Sequence, residues 1–128
     1  IAFSPSSQLL ALGSSDNTIQ LWDIETNAPK WTLNSHSGLV RSVAFSPNSC
    51  LLASSSEDKI RTLAGHLDSI IAVAFSPDSR LIALGSKDKT VRLWNTATGV
   101  LRHILRGPLY LVGSVIFSPD GWLLASGS

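Results

Sequence analysis

Ser42-Val43-Ala44-Phe45-Ser46-Pro47-Asn48-Ser49, followed by Leu51-Leu52-Ala53-Ser54-Ser55-Ser56-Glu57-Asp58, decides the fold, because it comes back. Thirty residues on, the chain reads Ala72-Val73-Ala74-Phe75-Ser76-Pro77-Asp78-Ser79, then Leu81-Ile82-Ala83-Leu84-Gly85-Ser86-Lys87-Asp88. The phenylalanines of the repeat are Phe3, Phe45, Phe75 and Phe117, at intervals of 42, 30 and 42 residues. Recurrence at about 40–45 residues marks a stacked supersecondary unit. The middle interval is 12 residues shorter than its neighbours.

Each unit reads as four short strands. The segment ending in Phe is apolar and strand-sized. Pro and Asp or Asn then supply turn chemistry, since Pro presets φ and an Asx side chain bonds its own backbone. The following apolar run reads as a strand buried on both faces. Turns at Ser15-Asp16-Asn17 and Lys87-Asp88-Lys89 lead to Thr18-Ile19-Gln20-Leu21-Trp22-Asp23 and Thr90-Val91-Arg92-Leu93-Trp94-Asn95. These alternate with period two, as a half-buried strand does. A turn at Thr26-Asn27 or Thr98-Gly99 opens a fourth strand, Lys30 to Leu33 or Val100 to Leu105. No stretch keeps a 3.6-residue period, so no helix is expected.

The 128 residues suffice for one domain. With 44% hydrophobic and 15% charged residues, the chain is too apolar to be disordered. Its longest apolar runs are far short of the roughly 20 residues of a membrane-spanning helix. No secretion signal opens it. The absence of Met and the start inside a repeat point to a fragment. Net charge is +1 and no basic stripe exists, which argues against nucleic-acid binding by phosphate neutralisation. Cys50 is the only cysteine, so no intramolecular disulfide or multi-thiolate metal site can form. It reads as a small strand residue in a reducing compartment. Three dispersed histidines without a carboxylate cluster make no metal site, and no glycine-rich phosphate loop is present. No cofactor is expected.

Trp22-Asp23, the near-match Trp94-Asn95, Gly65-His66, and the Ala-Phe-Ser-Pro and Leu-Leu-Ala-Ser segments together resemble the WD40 repeat family. The resemblance covers essentially the whole chain. It implies an all-β fold: a partial propeller of about three and a half four-stranded antiparallel blades, with the second shortened and the ring not closed. The expected units are 1–35, 36–65, 66–107 and 108–128, the last holding two strands only. The twelve missing residues fall after Asp58. Ile60 to Leu63 is then expected to edge a three-stranded second blade. A true deletion and a gene-model error are both compatible with this gap.

The resemblance also implies a buried polar tetrad in each blade, linking a His, a Ser or Thr, an Asp and a Trp. Asp16 and Trp22 match in the first blade, where Leu12 replaces the Ser. His36, Ser54 and Asp58 match in the second, which lacks the Trp. His66, Asp88 and Trp94 match in the third, where Leu84 replaces the Ser. In the fourth, Ser126 matches and Pro108 replaces the His. No blade carries all four. A His–Ser–Asp set also invites a hydrolase reading, but a catalytic triad would occur once and this set recurs. His103 is expected to be exposed on an outer strand. Trp31 and Trp122 are expected to pack within blades.

The expected function is a non-catalytic scaffold for protein–protein interaction, in the cytoplasm or nucleus, with no nucleic acid or membrane. The partner is a protein or peptide, and further WD40 repeats of a parent chain are a second kind of neighbour. Residues at the rim implied by the resemblance are Ser15, Leu39, Arg41, Glu57, Ser69, Ile71, Lys87, Tyr110 and Leu111. The competing reading is a degenerate repeat fragment with no independent function.

Overall fold

The computed structural model describes residues 1–57, 65–106 and 110–128. Among them there are twelve strands and no helix. The first sheet has the order β1 (Ala2–Phe3), β2 (Leu9–Gly13), β3 (Ile19–Asp23), β4 (Ala28–Leu33). The pair β5 (Val40–Phe45) and β6 (Leu52–Ser56) forms the second. The third has β7 (Ile70–Phe75), β8 (Leu81–Ser86), β9 (Thr90–Asn95) and β10 (Leu101–Arg106), in chain order. The last is the pair β11 (Ser114–Phe117) and β12 (Leu124–Gly127). All pairings are antiparallel. The sheets stack as an open series of blades with β1, β5, β7 and β11 side by side. The third strand expected for the second blade lies outside the described residues.

The turn after each Phe is built four times in the same way. The amide of the leucine five residues on donates to the serine hydroxyl: Leu9 to Ser4 at 3.0 Å, and Leu51 to Ser46, Leu81 to Ser76 and Leu123 to Ser118 at 2.9 Å. The hydroxyls of Ser46, Ser76 and Ser118 donate to Asn48, Asp78 and Asp120, whose carboxamide or carboxylate oxygens also accept the amide two residues on. Ser7, Ser49, Ser79 and Gly121 take the left-handed conformation that closes the turn, with φ of 57°, 60°, 60° and 76°. The proline-and-Asx turn chemistry is therefore incomplete without the serine.

Three small cores lie between consecutive blades. Ala11, Ile19 and Leu21 of the first meet Val40 and Val43 of the second. Val73, Ile82, Leu84 and Trp94 of the third meet Ala44 and Ala53 of the second. Ala83, Val91 and Leu93 of the third meet Val112, Val115 and Phe117 of the fourth. The repeated Phe faces the preceding blade, so Phe3, with none before it here, is 65% exposed. The alternation in β9 is thus a two-sided one: Leu93 joins the core ahead while Trp94 joins the core behind.

Close approach between blades depends on glycine. A Cβ on Gly13 would lie 2.6 Å from Cγ1 of Val40, and one on Gly85 would lie 2.7 Å from Cγ1 of Val112. The amides of Val40 and Val112 donate to the carbonyls of Ser14 and Ser86, at 3.2 and 3.0 Å, tying the same junctions.

Three expectations need correction. The second strand is buried on both faces in β8 only, which lies inside a described four-stranded sheet and between two others; β2 and β6 are mixed. Trp31 is 51% exposed on the outer strand β4, where Lys30 sits over its ring, and Trp122 is 86% exposed at the tip of a turn. Neither packs in a core, since outer strands and turn tips have no facing sheet. His103 is exposed on β10, as expected.

Candidate functional site

Two groups of residues concern function: a polar network inside the third blade and a charged rim beside it. The network is anchored by the Asp88 turn after β8. One Asp88 oxygen accepts from the Thr90 amide at 3.0 Å and its hydroxyl at 2.6 Å. The other accepts from the Leu67 amide at 2.9 Å and lies 2.8 Å from His66 Nδ1. Burial alone would raise the Asp88 pKa, but donation from Thr90, Leu67 and His66 outweighs it and holds the carboxyl at about 2.

His66 is 2% exposed at its side chain and leans on Trp94, with ring centroids 5.6 Å apart. Burial pushes its pKa down, against the pull of Asp88. A neutral ring that donates from Nδ1 to Asp88 leaves Nε2 bare. The Leu84 backbone acts on the ring, yet among the described residues no partner meets hydrogen-bond geometry at Nε2. In the second blade the equivalent His36 Nε2 is 2.7 Å from the hydroxyl of Ser54. Leu84 stands in that serine's place and packs on Trp94 instead.

Arg92 is a third member that sequence reasoning missed. Its side chain is 12% exposed, its guanidinium lies 3.9 Å from Asp88, and its Nε has no hydrogen-bond partner among the described residues. The equivalent Gln20 of the first blade accepts from Trp22 Nε1 at 3.3 Å, which an arginine cannot do. The pattern of an Asp two residues before a Thr, in Asp16-Asn17-Thr18 and Asp88-Lys89-Thr90, is the signal that could have revealed the threonine. Asp16 likewise accepts from the Thr18 amide at 3.0 Å and hydroxyl at 2.7 Å. These bonds hold its carboxyl below the usual range.

The structure brings His66, Asp88 and Trp94 together, and His36 with Ser54. It keeps Asp16 and Trp22 on separate local bonds. Ser126 is exposed on β12 opposite Val115. Asp58 and Pro108 lie outside the described residues. Asp23 and Asn95, which follow the tryptophans, use one side-chain oxygen each to accept turn amides, Thr26 at 3.0 Å and Thr98 at 2.9 Å. Asn serves there as well as Asp because only an acceptor is required.

On the rim, Arg41 and Ile71 occupy the same place in two blades. Each is the extra residue of a β-bulge, between Val40 and Ser42 in β5 and between Ile70 and Ala72 in β7. A bulge re-aims its side chain out of the ladder. Arg41 Nε donates to Glu57 at 2.9 Å, and Lys87 Nζ of the next blade comes within 3.8 Å of the same carboxylate. The Arg41 hydrogen bond keeps the Glu57 carboxyl below its usual range. Leu39 contributes its carbonyl to the Glu57 amide. Ser15 is exposed, and Tyr110 and Leu111 are 73% and 43% exposed beside the Val112–Ser86 junction. Ser69 differs from its expected role as a rim surface residue. It is 6% exposed, and its carbonyl accepts the Lys87 amide and the Ser86 hydroxyl, so it holds the turn. Leu67, 82% exposed, was overlooked. Among the described residues no cluster of three potential metal ligands occurs.

The family model of the WD domain, G-beta repeat, matches residues 1–23, 27–60 and 58–95. Nuclear distribution protein PAC1 of Coccidioides posadasii is 37% identical over 150 residues, taking in 99% of this chain and 32% of its own length. Nuclear distribution protein nudF 1 of Talaromyces marneffei is 34% identical, covering 94% of this chain and 30% of its own. Ribosome assembly protein 4 of Chaetomium thermophilum is 51% identical over 47 residues, which is 36% of this chain and 9% of that protein. The chain thus spans about a third of the length of the first two and far less of the third. Repeated matches along the sequence, borne by blades whose turns are built alike, make this chain a member of the WD40 repeat family.

Proposed function

We propose that the chain is a non-catalytic interaction scaffold whose rim, carried by Arg41, Glu57, Lys87, Tyr110 and Leu111, receives a protein or peptide partner. The observation that carries this reading is the rim itself. Bulges aim Arg41 and Ile71 outward, one carboxylate joins cations of two blades, and exposed apolar residues stand beside them. Arginine and tyrosine are frequent anchors in interfaces, and loops held by a rigid frame are the usual place of recognition. Relatives named for nuclear distribution and for ribosome assembly support a shared scaffold used with different partners. The blade units of this reading are 1–35, 36–65, 66–107 and 108–128, each holding one of the described sheets. In this reading the His66–Asp88–Trp94 group is structural. His66 is enclosed between blades with no hydroxyl at Nε2, an arrangement that supports a packing role and not a hydrolytic one. Action in the cytoplasm or the nucleus is compatible with the relatives.

The exposed Phe3 and Ile116 at the two ends of the stack favour a second reading, in which the segment works only beside further repeats. Affinity capture of proteins from a lysate, quantified by mass spectrometry, tests the rim. Arg41→Glu, Lys87→Glu and Tyr110→Ala combined should lose a defined set of captured proteins that Glu25→Lys retains. An unchanged set on a folded variant would remove the rim reading.

A further inference from the structure

The outer strand β10 has a character that no other described strand shares. All six of its residues are exposed, and it is the edge of its sheet. It carries Arg102, His103 and Arg106, no acidic residue, and the exposed apolar side chains Leu101, Ile104 and Leu105. Among the described residues none of its cations is in an ion pair. Its pairing with β9 sets Ile104 and Arg106 on one face and His103 and Leu105 on the other, with Arg102 left over in a bulge.

The corresponding edge of the first blade, β4, is closed to a further strand. Pro29 lacks an amide hydrogen there. Its one cation, Lys30, is engaged by Asp23 at 3.1 Å and lies over Trp31. β10 has neither device. Among the described residues no strand pairs with its outer edge, and an open edge is a template for one more strand.

We propose that β10 takes up an acidic segment with interspersed aliphatic residues as a fifth strand of the third blade. Backbone pairing would supply register. Leu101, Ile104 and Leu105 would meet the aliphatic side chains, and Arg102 and Arg106 the carboxylates. The charge chooses the occupant. Two copies of β10 laid edge to edge would bring four arginines together with no carboxylate among them, so a second copy of this chain is disfavoured, whereas an acidic strand is drawn in. This surface is separate from the rim and stands without it.

The test uses the whole chain and three eight-residue peptides that alternate valine with glutamate, glutamine or lysine. Fluorescence anisotropy should show binding of the glutamate peptide, weakened by salt, with the glutamine peptide roughly tenfold weaker and the lysine peptide unbound. Hydrogen exchange should show protection at 101–106 on binding and no change at Arg41 or Lys87. Combined Arg102→Glu and Arg106→Glu, at exposed positions that leave the fold intact, should reverse the preference toward the lysine peptide. Equal binding of all three peptides, protection elsewhere, or concentration-dependent protection of β10 without peptide would overturn the proposal.

Discussion

His66 and Asp88 make stability depend on pH through one short contact. In the folded chain a proton on His66 would place a cation in an enclosed site, with the Arg92 cation close by. Its folded pKa lies below the ordinary 6.5, so the unfolded chain takes up the proton first. Stability is therefore full above pH 6.5 and falls as the pH drops below it. Asp88 acts in the same direction lower down. With a folded pKa of about 2 against 3.8, its contribution is present above pH 4 and is lost as the pH falls toward 2. For Asp88 that loss is up to about 2 kcal/mol. Denaturant midpoints measured between pH 8 and 2 should decline in these two windows. His66→Phe should flatten the first and leave part of the second. The sequence revealed the His–Asp spacing, but not the neighbour that defines its titration. Arg92 reads as the solvent-facing member of an alternating strand, and only the packing of consecutive blades encloses it.

At the scale of the element, the decisive unit is the Phe-Ser-Pro turn. Its strands and its proline are legible because periodicity and turn chemistry are local properties. The serine is harder to see. Ser46 and Ser76 are 0% and 3% exposed, and a buried serine among apolar residues has no sequence mark of its own beyond recurrence. Each gives one hydroxyl donor and one acceptor to the turn, so its removal takes the leucine amide's acceptor and one of the Asx oxygen's two donors. Ser76→Ala should lower stability by about 1–3 kcal/mol, while Ser118→Ala in the half-exposed end copy should lower it by less. Thermal or urea unfolding of the two variants checks the order. The bulges at Arg41 and Ile71 were beyond reach for another reason. A strand that is one residue longer than its partner looks the same in sequence as one that is not.

For the molecule as a whole, repetition made the propeller architecture readable, and the same repetition hid what differs between copies. Leu84 for Ser54, Arg92 for Gln20 and Gly85 for Ser55 are substitutions in three aligned columns, yet each changes what a blade can do at its junction. Gly85 sets how near the fourth blade comes to the third. Gly85→Ala must push Val112 aside or separate the two sheets. Overpacking of this sort costs roughly 1–3 kcal/mol. Hydrogen exchange should then rise chiefly in 110–128, with 1–57 unaffected. Uniform loosening of the chain would contradict a stack of separate junctions.

That each apolar core is shared by two successive blades, and none by blades further apart, has a consequence for how the chain responds to damage. Coupling passes only from neighbour to neighbour, as in a row of tiles. A fault inside the row breaks two links and a fault at its end breaks one. The end blades are where opening begins, and the third blade, with a partner on each side and the only described strand buried along nearly its whole length, is where it finishes.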